Sequence, residues 1–315
     1  MKILITGGAG FIGSHVADAL IREGHHVIVI DNLCHGKQEY ISPHARFYFV
    51  DICDSSIAAI FEREQPEVVI HNAAHISVPH SIQDPVHDAH TNILGTLNIL
   101  EHARRWGVKK IIFASSGGAI YSEAAIVPTP EDYPARNIFS WTTSPYCISK
   151  FTTESYLMYY QRRYGIPFVS LRFANVYGPR QDASGEGGVV AILASQLLKG
   201  EMPTIHGSGN QTRDFVYVGD VVQAYLAALK GNTTGFFNVA TGKETSITTL
   251  YAHLAKILTT QQPAHYGPER PGDVNRSCLS ARHIHQELGW TPKTSLEQGL
   301  QKTVTWLQWC YKKNH

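Results

Sequence analysis

The feature that most constrains this chain is its first turn. Residues 2–6 read as a short buried strand, and Gly7-Gly8-Ala9-Gly10-Phe11-Ile12-Gly13 follows at once. The glycines at 7, 10 and 13 are spaced GxxGxxG. A helical pattern opens inside the motif: Ile12, Val16, Leu20 and Ile21 fall near a 3.6-residue period over 12–23, with Gly24 placed at its C-terminal end. Glycine lets the backbone turn tightly and lets a diphosphate approach the helix N-terminus. Glycines also cluster in ordinary turns, so the strand before and the helix after carry the reading. Asp31 ends the next strand, 18 residues beyond Gly13. A carboxylate there can bind both hydroxyls of a ribose and repels a 2′-phosphate. No arginine adjoins it, so the expected cofactor is NAD rather than NADP.

The rest of the N-terminal half keeps the same rhythm. Strands are expected at 26–31, 46–50, 68–72, 110–115 and 168–173, with a long helical stretch at 90–106. Such alternation builds βαβ units and a parallel sheet covered on both faces. The predicted class is α/β, a Rossmann-type doubly wound parallel sheet with a smaller α/β substrate domain. The cofactor domain is expected to take residues 1–174 and 214–243, and the substrate domain 175–213 and 244–315. In the second half, 214–218 reads as a strand, 221–229 as a helix, and Trp306, Leu307 and Trp309 sit on a final amphipathic helix. The Gly/Pro-rich stretches 178–188 and 264–273 read as long loops, and such loops in a compact protein tend to carry function.

Composition narrows the partners. The chain has 315 residues, 43% of them hydrophobic, enough for a full core. Lys and Arg number 27 against 26 Asp and Glu, with no basic run, which argues against a nucleic-acid partner. The 17 histidines are scattered. Five cysteines (Cys34, Cys53, Cys147, Cys278 and Cys310) form no CxxC pair, so free thiols in a reducing compartment are expected and no metal site. With neither a signal peptide nor an apolar run of about 18 residues, no membrane partner is expected and the cytoplasm is the expected location.

The second chemical signal is Tyr146-Cys147-Ile148-Ser149-Lys150. Positions i and i+4 share one helix face, and an ammonium near a phenol favours the phenolate. The lysine is also placed to hold a nicotinamide ribose. Surface Tyr/Lys pairs are common; the nucleotide turn in the same chain turns the balance towards catalysis.

Taken together, GxxGxxG, Asp31, the helix of Asn92, Tyr146-xxx-Lys150, Leu171-Arg172-Phe173-Ala174-Asn175, the run Gly207–Val218 and Arg270-Pro271-Gly272-Asp273 resemble an extended short-chain dehydrogenase/reductase. Within the NAD-dependent epimerase/dehydratase family the chain is most similar to the UDP-glucose 4-epimerases, over nearly its whole length. The resemblance implies that Tyr146 takes a proton from the sugar 4-hydroxyl while the C4 hydride passes to NAD. The 4-keto sugar then turns over about its diphosphate link and is reduced on the other face. It further implies that NAD is held by Gly7, Gly10, Phe11, Ile12, Gly13, Asp31, Asn32, His35, Gly36, Asp51, Ile52, Ala73, Ala74, Asn92, Ser115, Tyr146, Lys150 and Phe173. The UDP-sugar would be met by Gly117, Asn175, Gly188, Val189, His206, Arg213, Arg270, Asp273 and Ser277. Arg213 and Arg270 suit the diphosphate as bidentate donors, and Asp273 the nucleotide ribose. The relatives dimerise through a four-helix bundle. Phe151, Ser155, Leu157, Met158 and Tyr159 are the candidates for a homodimer face here, with the core as the competing reading.

One position departs from the family. Its members place a Ser or Thr beside the catalytic Tyr, and aligning on Ile120-Tyr121 puts Gly117 there. Losing a donor to a developing alkoxide costs about 3–4 kcal/mol unless something replaces it. Ser116, a bridging water or the Tyr–Lys pair alone could serve; the reading favours Ser116 or water. Related 4,6-dehydratases carry an acidic pair in this segment and decarboxylating relatives a Glu. Gly118 and Ala119 stand here instead, which sets elimination and decarboxylation aside. Ser277, small where relatives use either Tyr or a small residue, is expected to admit an N-acetylated UDP-sugar beside UDP-glucose. A UDP-glucuronate 4-epimerase, a nucleotide-sugar reductase and a non-catalytic nucleotide binder remain as alternatives.

Overall fold

A computed structural model describes residues 1–133, 144–183, 188–269 and 273–313. Its centre is a seven-stranded sheet. The runs β1 (Lys2–Thr6), β2 (His26–Asp31), β3 (Arg46–Phe49), β4 (Val68–His71), β5 (Lys110–Ser116) and β6 (Phe168–Phe173) are joined there by the strand Gly235–Val239. All neighbours run parallel, and from the Gly235–Val239 edge the order is β6, β5, β4, β1, β2 and β3. The chain winds outward in both directions from the β1–β4 pair. In such sheets the crevice at the strand C-termini, where the winding reverses, is the place for ligands.

Side-chain alternation along each strand divides the core. Ile3 and Ile5 face one layer, with Val16 and Leu20 of helix α1 (Phe11–Arg22) and with Val221 and Tyr225 of the helix Val218–Leu229. Leu4 faces the other. There it meets Ile57 and Phe61 of α2 (Ile57–Glu64) and Ile99 of the 90–105 stretch, and Leu157 of the helix Pro145–Tyr164 closes the same layer. The six strands read from the sequence are present within one residue of their expected ends. The 90–106 helix begins as a π-helical segment, His90–Gly95, before the α-helix Thr96–Arg105. The seventh strand, Gly235–Val239, was missed because a glycine start and an asparagine break its β-branched run.

The second half adds small elements around a separate cluster of Tyr177, Leu193, Leu250, Leu300 and neighbours. Its sheets are short: Asn175–Tyr177 with Phe215–Tyr217, Thr204–His206 with His265–Gly267, and Thr212–Arg213 between Thr245–Ser246 and Arg276–Ser277. The stretch 264–273, expected as a loop, therefore contains a strand. The expected 214–218 strand is trimmed to Phe215–Tyr217, and the expected 221–229 helix starts earlier, at Val218. Among the described residues no helix is long and apolar enough to cross a membrane.

One buried carboxylate joins the layers behind the strand ends. Glu154, on the helix Pro145–Tyr164, pairs with Arg172 of β6 at 2.7 Å and also accepts from Ser115 of β5 and Ser170 of β6, both at 2.8 Å. Replacing Glu154 by Ala strands the Arg172 guanidinium, and such a broken buried pair costs about 3–5 kcal/mol. Urea unfolding of E154A should show a loss of that size, and a loss near zero would contradict this role. His71, wholly buried between Thr6 and Thr96, is held by desolvation down to about 3. The unfolded chain binds that proton below about pH 6.5 and the folded chain does not, so stability falls as pH drops. From about pH 6 to about pH 4 the wild type should lose about 1.4 kcal/mol per pH unit more than His71→Gln. Equal slopes in urea titrations would show that His71 does not titrate this way.

Candidate active site

At the C-terminal ends of β1, β2, β4 and β5 lies a cavity of about 1270 Å³. Its floor is the glycine turn. Gly7 has φ +69°, and a Cβ on it would lie 2.7 Å from the Ala73 nitrogen. On Gly13 a Cβ would stand 2.1 Å from the Gly7 carbonyl oxygen. Both positions therefore exclude any other residue. Gly10 caps α1 with extended backbone, and no side chain caps the helix. The first amides of α1 are thus left open to an anion.

Asp31 closes the far side. Its Oδ2 accepts from the Ala9 amide at 2.9 Å and its Oδ1 from Leu33 at 2.8 Å, which fix the carboxylate at the cavity edge. Burial raises its pKa, against the pull of those two amides. Asn32 donates to Asp51 at 2.6 Å, and Asp51 and Ile52 form the wall beyond. Open amides at a helix start, a ribose-spanning carboxylate and a cradle without Cβ atoms fit a dinucleotide. Of the residues expected around NAD, all but Asn92 line this cavity. Asn92 is a correction. The π-helical segment turns it inward, where Nδ2 donates to the His75 carbonyl and to Asp88, both at 2.9 Å, and Oδ1 accepts from the His75 amide at 2.8 Å. It shapes the wall at 73–76 from behind.

The reactive pair stands on the helix Pro145–Tyr164, which starts with a Ser144 cap and Pro145 in its first turn. Lys150 sits one turn after Tyr146, its ammonium 5.7 Å from the phenol ring centre and 2.9 Å from the Ala114 carbonyl, to which it donates. Burial lowers Lys150 to about 8, while Asp88 and Glu154 pull the other way. Burial likewise pushes the Tyr146 phenol above its usual range, and the nearby Ser116 hydroxyl opposes that rise. The Ser116 oxygen accepts from the Ala119 amide at 3.3 Å, which caps the short helix Gly117–Tyr121.

Gly117 is the second correction. It is buried and does not line the cavity, and a Cβ on it would lie 2.3 Å from Leu279 Cδ1. Leu279 fills the space that a side chain at position 117 would need. Ser116, the residue the sequence reading favoured for the hydroxyl, ends β5 one position earlier.

The expected substrate residues separate. Gly188 lines the cavity; Val189 begins the next helix and packs on the second-half cluster. Asn175 is exposed on its short strand, and His206 Nδ1 lies 3.2 Å from the Pro268 carbonyl. Arg213 forms an ion pair with Asp273, and Ser277 is registered against Arg213 in the three-stranded sheet. These three share one place, though Arg213 and Asp273 bond to each other and neither lines the cavity. Arg270 lies outside the described residues. The sequence reading missed other parts of the wall: His75, Ile76, His87 and Thr91, Arg180 and Gln181 after Gly178-Pro179, and Trp306, Trp309 and Cys310 of the last helix. Only the loop at 178–188 carried a signal, its length.

Residues 3–240 match the NAD dependent epimerase/dehydratase family. A UDP-glucose 4-epimerase from Thermotoga maritima, solved with UDP-glucose, is 46% identical with a TM-score of 0.95, over 99% of this chain and 100% of that one. The Thermus thermophilus UDP-glucose 4-epimerase, solved with NAD, is 42% identical with a TM-score of 0.92, over 98% of this chain and 99% of that one. A UDP-glucose 4-epimerase of Mycolicibacterium smegmatis is 40% identical over 312 residues, 96% of this chain and 97% of the relative. By its cofactor cradle, its Tyr–Lys helix and these likenesses, the chain belongs to the NAD dependent epimerase/dehydratase family.

Proposed function

We propose that this protein is an NAD-dependent 4-epimerase of UDP-hexoses. The observation that carries the reading is a half-buried phenol, Tyr146, on the wall of a cavity built for a dinucleotide and one helical turn before Lys150, whose ammonium lies 5.7 Å from its ring centre. NAD would be held by the open amides of α1, by Asp31, and by Lys150 at the ribose, and it supplies a reversible two-electron oxidant for the sugar carbinol. Tyr146 as phenolate takes the 4-hydroxyl proton and later gives it back to the same oxygen on the inverted face. In this reading the Ser116 hydroxyl donates to the phenolate or to the sugar oxygen that carries partial charge. The Lys150 charge, kept below about pH 8, favours the anionic side of both steps.

On the substrate side, Arg213 with Arg270 binds the diphosphate, and Asp273 the nucleotide ribose. For this the Arg213–Asp273 pair must open, exchanging one carboxylate for phosphate oxygens. Ser277 leaves room for an N-acetyl group, so UDP-N-acetylglucosamine should turn over alongside UDP-glucose. The large sheet, with strands from the first 173 residues and from 235–239, supports a cofactor domain of 1–174 and 214–243. The cluster around Leu193, Leu250 and Leu300 supports a substrate domain of 175–213 and 244–315. We place the enzyme in the cytoplasm, a reading supported by five cysteines with no disulfide among them.

A homodimer is the proposed assembly, through a face that keeps Tyr159 of the expected residues and loses Leu157. Leu157 is buried in the core. Exposed instead are Ile148 and Tyr159 on the catalytic helix, with Ile82, Val86 and Leu94 on the neighbouring 78–95 stretch. Five large apolar side chains on adjoining elements form a patch of the kind that marks an interface. Light scattering should give about twice 34.9 kDa, and Ile148→Asp combined with Leu94→Glu should halve it. A wild-type monomer would refute the dimer.

The function is tested with UDP-galactose and no added cofactor. The wild type should form UDP-glucose, Tyr146→Phe should be slower by about 10²–10⁴-fold, and Ser116→Ala by about 10²–10³-fold. Full-rate turnover by Y146F would overturn the mechanism, and full-rate turnover by S116A would remove Ser116 from it.

A further inference from the structure

Five side-chain polar atoms are buried without a hydrogen-bond partner among the described residues. Three of them belong to the cavity wall: Asn72 Nδ2, Arg180 Nη1 and Gln181 Oε1. The last two are consecutive and come from the second half of the chain. A guanidinium N–H buried with no acceptor is costly unless a ligand supplies one.

Arg180 is held in place from several sides. Its Nη2 pairs with Asp18 of α1 at 2.8 Å. One residue earlier, the Pro179 carbonyl lies 2.9 Å from His15 Nε2 on the same helix. The guanidinium carbon is 5.5 Å from the ring centre of Tyr40, itself on the cavity wall. Arg180 also adopts φ +68°, a conformation that a residue with a Cβ seldom takes, so the fold imposes this placement against local preference. Gln181 is oriented as firmly: its Nε2 donates to the Val176 carbonyl at 3.0 Å, which leaves Oε1 as the unused end. Gly188 makes room for it, since a Cβ there would lie 2.4 Å from Gln181 Nε2.

We propose that Arg180 and Gln181 are cofactor-binding residues: Nη1 donates to a diphosphate oxygen of the bound dinucleotide, and Oε1 accepts from a ribose hydroxyl. A fixed cationic donor beside a fixed neutral acceptor matches a ribosyl diphosphate. Both NAD and a UDP-sugar contain that group. The tether to α1 and the stack on Tyr40 assign the pair to the dinucleotide, because α1 is the helix whose open N-terminus faces the same cavity. The second half of the chain would thus grip the cofactor that the first half cradles, which suits an enzyme that regenerates its cofactor in every cycle. The inference rests on the NAD site described above and deepens it.

The test follows release of NAD from the purified holoprotein into excess ADP-ribose, and separately the affinity of the same holoprotein for UDP by calorimetry. Arg180→Gln should release NAD at least about tenfold faster with UDP affinity unchanged. Arg180→Lys, which keeps the charge and loses the fork, should fall between. Asp18→Asn, which removes the tether and keeps the guanidinium, should hold NAD within about threefold of wild type. Release unchanged in R180Q overturns the proposal. So does a fall in UDP affinity without faster release, which would give the pair to the nucleotide sugar, or release from D18N as fast as from R180Q, which would give the effect to the ion pair. Should R180Q not fold, R180K decides by the same readout. The readout is cofactor release, so a wild type that holds NAD and converts no sugar would refute the epimerase reading and leave this one standing.

Discussion

The Glu154 carboxylate is the interaction on which the site depends. It lies on the helix that carries Tyr146 and Lys150, and it holds Arg172, Ser115 and Ser170 on the two strands beside that helix. A buried ion pair adds little net stability against an apolar replacement, yet it fixes geometry because misalignment leaves a charge unpaired. Here it fixes the helix against the end of β5. Lys150 therefore reaches the Ala114 carbonyl and stands beside the Tyr146 ring. Glu154 also helps keep Lys150 charged, against the burial that lowers it.

Much of this was legible in the sequence because it rests on local rules. Period-two alternation and a glycine turn specify the strand–turn–helix unit at Lys2–Arg22, and Asp31 follows from the length of one βαβ step. The i, i+4 spacing put Tyr146 and Lys150 on one face. What resisted reading depends on contacts between distant segments. Nothing local says that Leu279 would fill the space at Gly117, where a Cβ would lie 2.3 Å from it. Asn92 followed the family motif, yet a π-helical register turns its amide towards His75 and Asp88. Arg180 gained its meaning only from Asp18 and Tyr40, more than a hundred residues away in sequence.

The two halves meet ligands by different physics. The cofactor cradle is rigid backbone: glycines that admit no Cβ, helix amides and a carboxylate locked by two amides. The side proposed to meet the UDP-sugar instead presents an ion pair, Arg213 with Asp273, with Arg213 on a short strand. A site that must hold a diphosphate while the sugar turns over needs firm anchors at one end and few contacts at the other. Under the epimerase reading, the phenol at position 146 is the one group that must address both faces of the sugar.

The most direct test of the account follows an isotope. UDP-galactose carrying deuterium at C4 is incubated with the purified protein in ordinary water without added cofactor, and the UDP-glucose formed is examined by mass spectrometry and proton NMR. The account predicts full retention of deuterium at C4, because the atom removed from one face returns to the other without leaving the site. Deuterium lost to solvent, or product formed only when NAD is supplied and with the label passed to that added pool, would contradict it.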